Sequence, residues 1–556
     1  MANNLLENAY AQASTTINKS RTVFPYKKSW KCALEVGRLT PIGGINEVLP
    51  GDTWSMNIAG VVRSMTLIAP IMDNIYIDIC AFFVPNRVVW EHWNQFCGEN
   101  DTSAWTQNSS YTVPTHNYTG ASGETYATFA LKIGANYGLP FIDTTDTYGI
   151  TELPLRGYYQ IYNDWFRNEN VIAPVVFLKG DNANTVITYH DNLLKVAKLP
   201  DWVTKMLPSP QKGSAGQALL FTNKGFAPVY TVGGVNAPTV PSHTFYPLTF
   251  EKAASGSGLA EAYSAGSGVI RTLGIANTDL RPTSTYTGAP QDAVAPANLF
   301  ADLTNSINMT INNLRYSIML QRYYETAARG GTRYVEVLNS FFGISNSDAR
   351  LDRSELLCQK RFNVHVSQVV STSDTTNGKV GDTGGMIAAN FKDSLFTKTY
   401  TEHGYNHFFA LIRTENSYSQ GLERQWKHLN KFDFYWPSFD HIGEQPVMSY
   451  EINAKSANQT FVAGYQEAWF EYRFQNSRSV AYLDPSITGS LNYWDLQEVL
   501  GSTPYLNKNL IEQQSSPFSR VLTINNSYQF ICDFYLFGKV ARIMSPDSEP
   551  GLIGRL

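Results

Sequence analysis

At 556 residues the chain is long enough for three or four average domains or one elaborated domain, and it can bury a large core. Charged residues make up 16% and aromatics 13%, with 40 glycines and 26 prolines, which is too aromatic for a disordered chain and too uncharged for a coiled coil. A formal net charge of −4 excludes a protein that binds nucleic acid through bulk positive charge.

No run of about 18 apolar residues exists, so a transmembrane helix is not expected. The opening MANNLLENAYAQAS lacks a basic stretch followed by an apolar one, so no secretory signal is expected. The cysteines (Cys32, Cys80, Cys97, Cys358, Cys532) are five in number and scattered, and read as reduced thiols of a protein made in a reducing cytoplasm.

In chain order, residues 1–31 carry Lys19, Arg21, Lys27, Lys28 and Lys31 against one acid, Glu7, and read as an extended basic arm. Trp54, Met56 and Ile58 alternate, as do Ile75, Ile77 and Ile79 in NIYIDICAFFVP, predicting strands. NRVVWEHWNQFCGE reads as a short helix, and the Thr/Ser/Asn/Tyr-rich stretch 101–150 as a surface excursion. LPLRGYYQIYNDWFRNEN (153–170) places Leu155, Tyr159, Tyr162 and Phe166 on one helical stripe, and Arg156, Gln160, Asn163 and Arg167 on a second. Pro154 suits its first turn, where a missing N–H costs nothing.

The stretch 213–300, rich in Gly, Ala, Ser, Thr and Pro, reads as a long insertion with something to bury in Phe245, Tyr246, Leu248 and Phe250. A helix is predicted from Thr310 to Arg329, closed by Gly330-Gly331, and a second in RYVEVLNSFFG ending at Gly343. NVHVSQVVS, HFFALIRTE and YQFICDFYLFG read as strands. No period of 20–50 residues occurs, so the fold is mainly β with helices inserted between strands.

Candidate chemistry is sparse. No P-loop, Gly-x-Ser-x-Gly, paired CxxC or His-Glu-x-x-His is present. His403 and His407 stand four apart and could share an ion on a helix. Gly404 and the aromatics favour a strand, which separates the imidazoles by about 13 Å, so they read better as solvated or interface histidines. Glu444, Glu467 and Glu471 could supply a glycosidase carboxylate pair. Glu467 and Glu471, at i and i+4, fit better as one face of a short helix with Arg473 as ion partner. A secreted carbohydrate-binding or carbohydrate-active β-protein is therefore the alternative reading, and it lacks both a signal peptide and a convincing acid pair.

Long collinear segments carry a more specific signal. LTPIGGINEVLPGDTWSM (39–56), RSMTLIAPIMDNIYIDICAFFVPNRVVWEHW (63–93), LPLRGYYQIYNDWFRNEN and LPSPQKG (207–213) resemble the major capsid protein of the Microviridae, small tailless single-stranded DNA phages, and most closely its gokushovirus branch. So do INNLRYSIMLQRYYETAARGGTRYVEVLNSFFGISNSDARLDRSELL (311–357), TEHGY (401–405), YSQGLERQW (418–426), FDFYWPSFDHIGEQPV (432–447), GYQEAWFEYRF (464–474) and EPGLIGRL (549–556). Trp202-Val203 stands where relatives tend to have two aromatics, which leaves fine surface detail open.

The resemblance implies an eight-stranded antiparallel jelly roll with long inter-strand insertions containing helices. It implies a virion protein without enzymatic activity or cofactor, made in the bacterial host cytoplasm, that self-assembles into a T=1 shell around circular single-stranded DNA. A small basic DNA-binding protein and a minor pilot protein are the further virion partners it implies. The domain reading is an N-terminal arm (1–31), one elaborated capsid domain (32–556), and the 213–300 insertion rising at the three-fold axes toward the bacterial host surface. Arg156, Trp165 and Arg167 are then expected at subunit interfaces, where arginine pairs bidentately with carboxylates or carbonyls. Arg21, Lys27 and Lys28 are expected to face the genome.

Overall fold

Residues 20–99, 111–212, 311–330, 336, 339–341, 352–374, 379–501, 504–524 and 528–547, with short strands between 229 and 301, are described by the computed structural model. The chain divides into two compact units, Met1–Lys212 with Glu325–Leu556, and Gly213–Tyr324.

The larger unit is built on strands β1 (Thr22–Leu34), β2 (Thr40–Ile42), β3 (Glu47–Val48), β4 (Thr53–Ser64), β5 (Ile75–Pro85), β6 (Glu355–Val370), β7 (Thr383–Thr399), β8 (Gly404–Thr414) and β9 (Phe530–Arg542). Every pairing is antiparallel, in the order β1-β9-β4-β7-β6-β5-β8-β2, with β3 continuing the β2 edge along β8. The order falls into a first sheet, β1-β9-β4-β7, and a second, β6-β5-β8-β2. β6 joins them: Glu355–Val364 pairs with β5 and His365–Val370 with β7. Apart from β2 to β3 and β5 to β6, successive strands cross between the sheets, which is the double Greek key of a jelly roll. Nothing in a linear pattern dictates that order, yet it is the one the resemblance implies.

Between the sheets lies one core, including Leu34, Trp54, Met56, Ile58, Val62, Ile75, Ile77, Ile79, Phe83, Phe408, Ile412, Phe530, Phe534 and Leu536. The first sheet has one face outward, so its strands alternate: β4 buries Trp54, Met56, Ile58, Gly60 and Val62 and leaves the residues between them at least partly exposed. β5 and β8 differ because both of their faces are covered. Ile75, Ile77 and Ile79 enter the barrel, while Cys80, Phe82, Val84, Phe409 and Leu411 pack outward against helix α1 (Leu153–Ile161) and its surroundings. That explains an almost unbroken apolar run where a half-exposed strand would alternate.

α1 begins with Pro154 in its first turn and widens into a π turn over Tyr162–Phe166. It crosses β8 at a close approach: a Cβ on Gly157 would stand 2.6 Å from Nε2 of His407. His407 is buried and its Nδ1 is hydrogen-bonded to the Tyr137 hydroxyl at 2.8 Å. Tyr158 donates to the Leu39 carbonyl and accepts from the Leu194 N–H, tying the helix to both flanking segments.

The polar stripe of this helix is split: Gln160, Asn163 and Arg167 stay partly exposed, but Arg156 does not. Arg156 is fully buried: Nε donates to Glu152 Oε2 at 2.8 Å, Nη1 to the carbonyls of Val89 and Gly180, and Nη2 to that of Asn182. Glu152 is equally buried and also accepts from the Asn184 N–H and side-chain amide. A guanidinium enclosed on every side cannot touch a neighbouring subunit, which corrects the expected interface role of Arg156. Its charge serves to collect three backbone carbonyls around one ion pair.

A second correction concerns the basic arm. Residues 22–31 belong to β1 and pair with β9 along their whole length, so only residues preceding Thr22 are left to form an arm, and residues 1–19 lie outside the described residues. NRVVWEHWNQFCGE forms two short helices, Asn86–Val89 and Trp93–Phe96, not one. Helix α2 (Ile311–Gly330) matches its predicted span within a residue at each end, while the helix expected in 333–343 falls largely outside the described residues. In the smaller unit Thr249–Lys252 pairs with Leu259–Glu261 and Val294–Pro296, Leu273–Ala276 pairs with Asp279–Pro282, and Val229–Thr231 pairs with Leu299–Ala301.

The buried pairs make two predictions. Arg156→Ala leaves Glu152 without its cation in a dry site, so it should destabilise the soluble subunit by about 3–5 kcal/mol, read as a lowered urea midpoint before any assembly. Burial lowers the His407 pKa from 6.5 to about 3. A base whose folded pKa is depressed favours folding above its unfolded pKa, and that contribution fades as pH falls from 6.5 toward 3. At about 1.4 kcal/mol per unit the loss approaches roughly 5 kcal/mol. The stability difference between wild type and His407→Gln, followed from pH 7 to pH 4, should therefore shrink on acidification. A constant difference would contradict it.

Candidate subunit-contact surface

Residues 424–442 (RQWKHLNKFDFYWPSFDHI) carry aromatics with neither a helical nor a two-residue period, so no single face can bury them. The segment folds as three short 3-10 turns, Arg424–Lys427, Lys431–Asp433 and Pro437–Phe439, and is nonetheless pinned. Asp433 accepts the backbone N–H groups of Asn430 and Leu429 at 2.7 and 2.9 Å, and those bonds hold its carboxyl below the usual carboxylate range. Trp436 Nε1 donates to the Lys431 carbonyl, and Trp469 Nε1 to that of Phe439. Tyr435 meets Trp469 edge-on at 5.7 Å, and Phe432 meets Phe439 edge-on at 6.0 Å. Beneath the segment, Arg424 is paired with the buried Glu451 at 2.7 Å.

This frame holds its apolar groups outward. Trp426 is 73% exposed, Leu429 80% and Phe432 65%, and Phe434, Tyr435, Trp436, Phe439 and Ile442 are all exposed as well. Soluble monomers rarely leave so many large apolar side chains together in water, and such a patch marks an interaction site. Lys431 lies 5.8 Å from the Phe432 ring centre and 5.4 Å from that of Trp436, so the cations here ride on aromatic faces. A rigid aromatic surface of this kind is suited to docking against another protein face, because little ordering entropy remains to be lost.

The expected site residues lie elsewhere and apart. Trp165, on the π turn, is partly exposed; its Nε1 donates to Ser354 Oγ at 3.0 Å and the Arg353 guanidinium lies 4.2 Å from its ring centre. Arg167 donates from Nη1 to the Ile172 carbonyl at 2.6 Å. Arg21 is exposed and donates to Thr53 Oγ1. Lys27 and Lys28, consecutive in a strand, point to opposite faces: Lys27 is exposed, while Lys28 is half-buried 5.4 Å from the Trp30 ring centre, where burial lowers its pKa. Arg21, Lys27 and Lys28 therefore do not form one surface.

The histidine and carboxylate readings resolve cleanly. His403 precedes β8, where it meets Trp93, and only His407 lies within the strand; His407 is buried and bonded to Tyr137, which corrects its reading as a solvated or interface histidine. Among the described residues no group of three or more His, Cys, Asp or Glu is placed to hold a metal ion. Glu467 and Glu471 do not share a helix face. Glu467 ends the strand Val462–Glu467, opposite Glu444 of the strand Glu444–Met448, and Glu471 sits in the short helix Phe470–Arg473. Each has its own partner: Arg473 bonds Glu467 at 3.0 Å, Arg329 bonds Glu444 at 2.5 Å, and His428 stands 3.6 Å from Glu471.

The comparisons agree with this architecture. The family model described as "Capsid protein (F protein)" matches residues 12–552. The capsid protein VP1 of Bdellovibrio phage phiMH2K is 33% identical over 99% of this chain and 98% of its own length. That of Chlamydia phage 1 is 31% identical over 99% and 98%, and that of Spiroplasma virus 4 is 32% identical over 96% of each. A jelly roll with an exposed aromatic surface, matched over nearly its whole length by such relatives, places the chain in the phage capsid protein (F protein) family.

Proposed function

We propose that the chain is the self-assembling subunit of a T=1 icosahedral shell around a circular single-stranded DNA phage genome, with no enzymatic activity of its own. The observation that carries this reading is the pinned segment 424–442, whose outward aromatics are left exposed among the described residues. Its occupant in the virion is a neighbouring copy of the same chain. Trp165 and Arg167, both partly exposed, are proposed as further contacts. A small basic protein and a minor pilot protein complete the particle, since a subunit of net charge −4 supplies little to neutralise packed DNA.

Trp426→Ala combined with Phe432→Ala tests the assembly surface. Removing two exposed aromatics should leave the soluble subunit's stability within about 0.5 kcal/mol of wild type. Truncating an interface anchor costs about 2 kcal/mol or more, so the subunit concentration needed for assembly should rise by at least roughly 30-fold. Light scattering against concentration reads it, and assembly at the wild-type threshold would remove this segment from the contact surface.

The insertion 213–300 is proposed to meet the bacterial surface. Loop closure entropy grows slowly with length, so its small-residue part tolerates shortening. Deleting 262–268, which spares the paired strand Leu259–Glu261, should leave particle yield intact and reduce adsorption to host cells. Loss of particles would instead make the segment structural.

A further inference from the structure

The outward face of the first sheet has a composition unlike the rest of the chain. The antiparallel register sets its residues in rows across β1, β9, β4 and β7: Pro25–Lys539–Ser55–Thr397, then Lys27–Phe537–Asn57–Ser394, then Ser29–Tyr535–Ala59–Lys392. The rows continue as Lys31–Asp533–Val61–Asn390 and Ala33–Ile531–Arg63–Ala388. Five cations on this face, Lys27, Lys31, Arg63, Lys392 and Lys539, are exposed, and a single carboxylate, Asp533, opposes them. Asp533 accepts from Ser29 Oγ at 3.1 Å and sits directly across from Lys31.

Two rings stand among these cations. Tyr535 and Phe537, alternate residues of β9 on the same face, lie with centres 5.3 Å apart and planes within 18° of each other, and Lys392 stands 5.5 Å from the Phe537 ring centre. Beside them the face is lined by small or amide side chains, Ser55, Asn57 and Ala59 on β4 and Ser394 and Asn390 on β7. Among the described residues nothing bulky obstructs an approaching chain there. The centre is flat and low, cations stand on both sides, and a π surface is open.

We propose that this sheet face is the subunit's genome-contacting surface and that its ligand is single-stranded DNA, the phosphates held by Lys27, Lys392 and Lys539 and bases stacking on Tyr535. The inference rests on the reading of the chain as a genome-enclosing shell subunit. Charge complementarity selects the ligand: five cations against one acid stand on one sheet face of a chain that is net negative. Exposed aromatics select a single strand over a duplex, because only unstacked bases offer their faces to a ring. Lys28 lies on the opposite face of β1 and takes no part.

The test uses the full-length soluble subunit and an oligothymidylate of about 30 nucleotides. The triple variant Lys27→Gln, Lys392→Gln, Lys539→Gln should weaken binding by at least about tenfold and reduce the slope of log affinity against log salt by about 2, each phosphate contact contributing about 0.7. Tyr535→Ala should weaken oligothymidylate about tenfold while leaving the slope and the affinity for a duplex of equal length unchanged. Lys427→Gln with Lys431→Gln, on the aromatic segment, serves as the charge control and should change neither quantity. Equal affinity and slope in the triple variant and this control would overturn the proposal. So would a triple variant that melts normally but fails to assemble, which would make the face a subunit contact. If wild-type subunits form no shells at all, it is the capsid reading that falls, a result separable from either outcome.

Discussion

Covering the second sheet on both sides is the constraint from which the larger unit follows. One face of β5 and β8 closes the barrel core and the other receives α1 with its aromatic surroundings. Any polar group caught in that double layer must find its partners inside, since an unpaired charge there costs several kcal/mol. Asp78, in the middle of β5, is fully buried and is met by Arg361 at 2.7 Å and by Arg413 at 3.3 Å, one from each neighbouring strand. Arg156 and Glu152 form the corresponding pair in the helix layer. The layer also depends on Gly157, because no residue with a Cβ fits against His407 at the observed approach.

The same constraint allots the remaining surfaces. With the outer face of the second sheet committed to its helix layer, the outer face of the first sheet and the segments beyond the barrel remain for partners. They differ in kind. The segment 424–442 is apolar and held rigid by its own hydrogen bonds, whereas the first sheet's face is flat and basic with few internal ion pairs.

The strands were legible because burial on one face imposes a two-residue period and burial on both imposes a continuous apolar run. β4 and β5 illustrate the two cases, and the long matched segments supplied the topology that periodicity cannot. The helix at 153–161 was legible as a helix, but its Arg156 was misplaced at a subunit interface. A stripe of Arg156, Gln160, Asn163 and Arg167 resembles a solvated face, but Glu152 stands four residues before Arg156, the spacing at which an ion pair neutralises such a stripe internally. The arm was misread for a similar reason. Lys27, Lys28 and Lys31 drew attention to charge, while Phe24, Tyr26, Trp30 and Cys32 alternated through the same stretch and marked β1. The aromatic contact segment had no period to find, and its signal was that absence together with its density of rings.

Segregating apolar assembly from electrostatic DNA contact has a physical advantage for a closed shell. The first sheet's face carries a net +4 within a chain of −4, leaving −8 elsewhere, so attraction for phosphate is local and the chain as a whole stays acidic. Contacts between exposed charges weaken as salt rises, because the screening length falls to about 8 Å at physiological ionic strength. Burial of aromatic surface does not depend on screening and is strengthened by salts excluded from the protein surface. On the proposed assignment, a shell joined by rings such as Trp426 and Phe432 keeps its subunit contacts at ionic strengths that loosen a genome held by Lys27, Lys392 and Lys539. Holding the container by one force and the contents by another lets the second be released without dismantling the first.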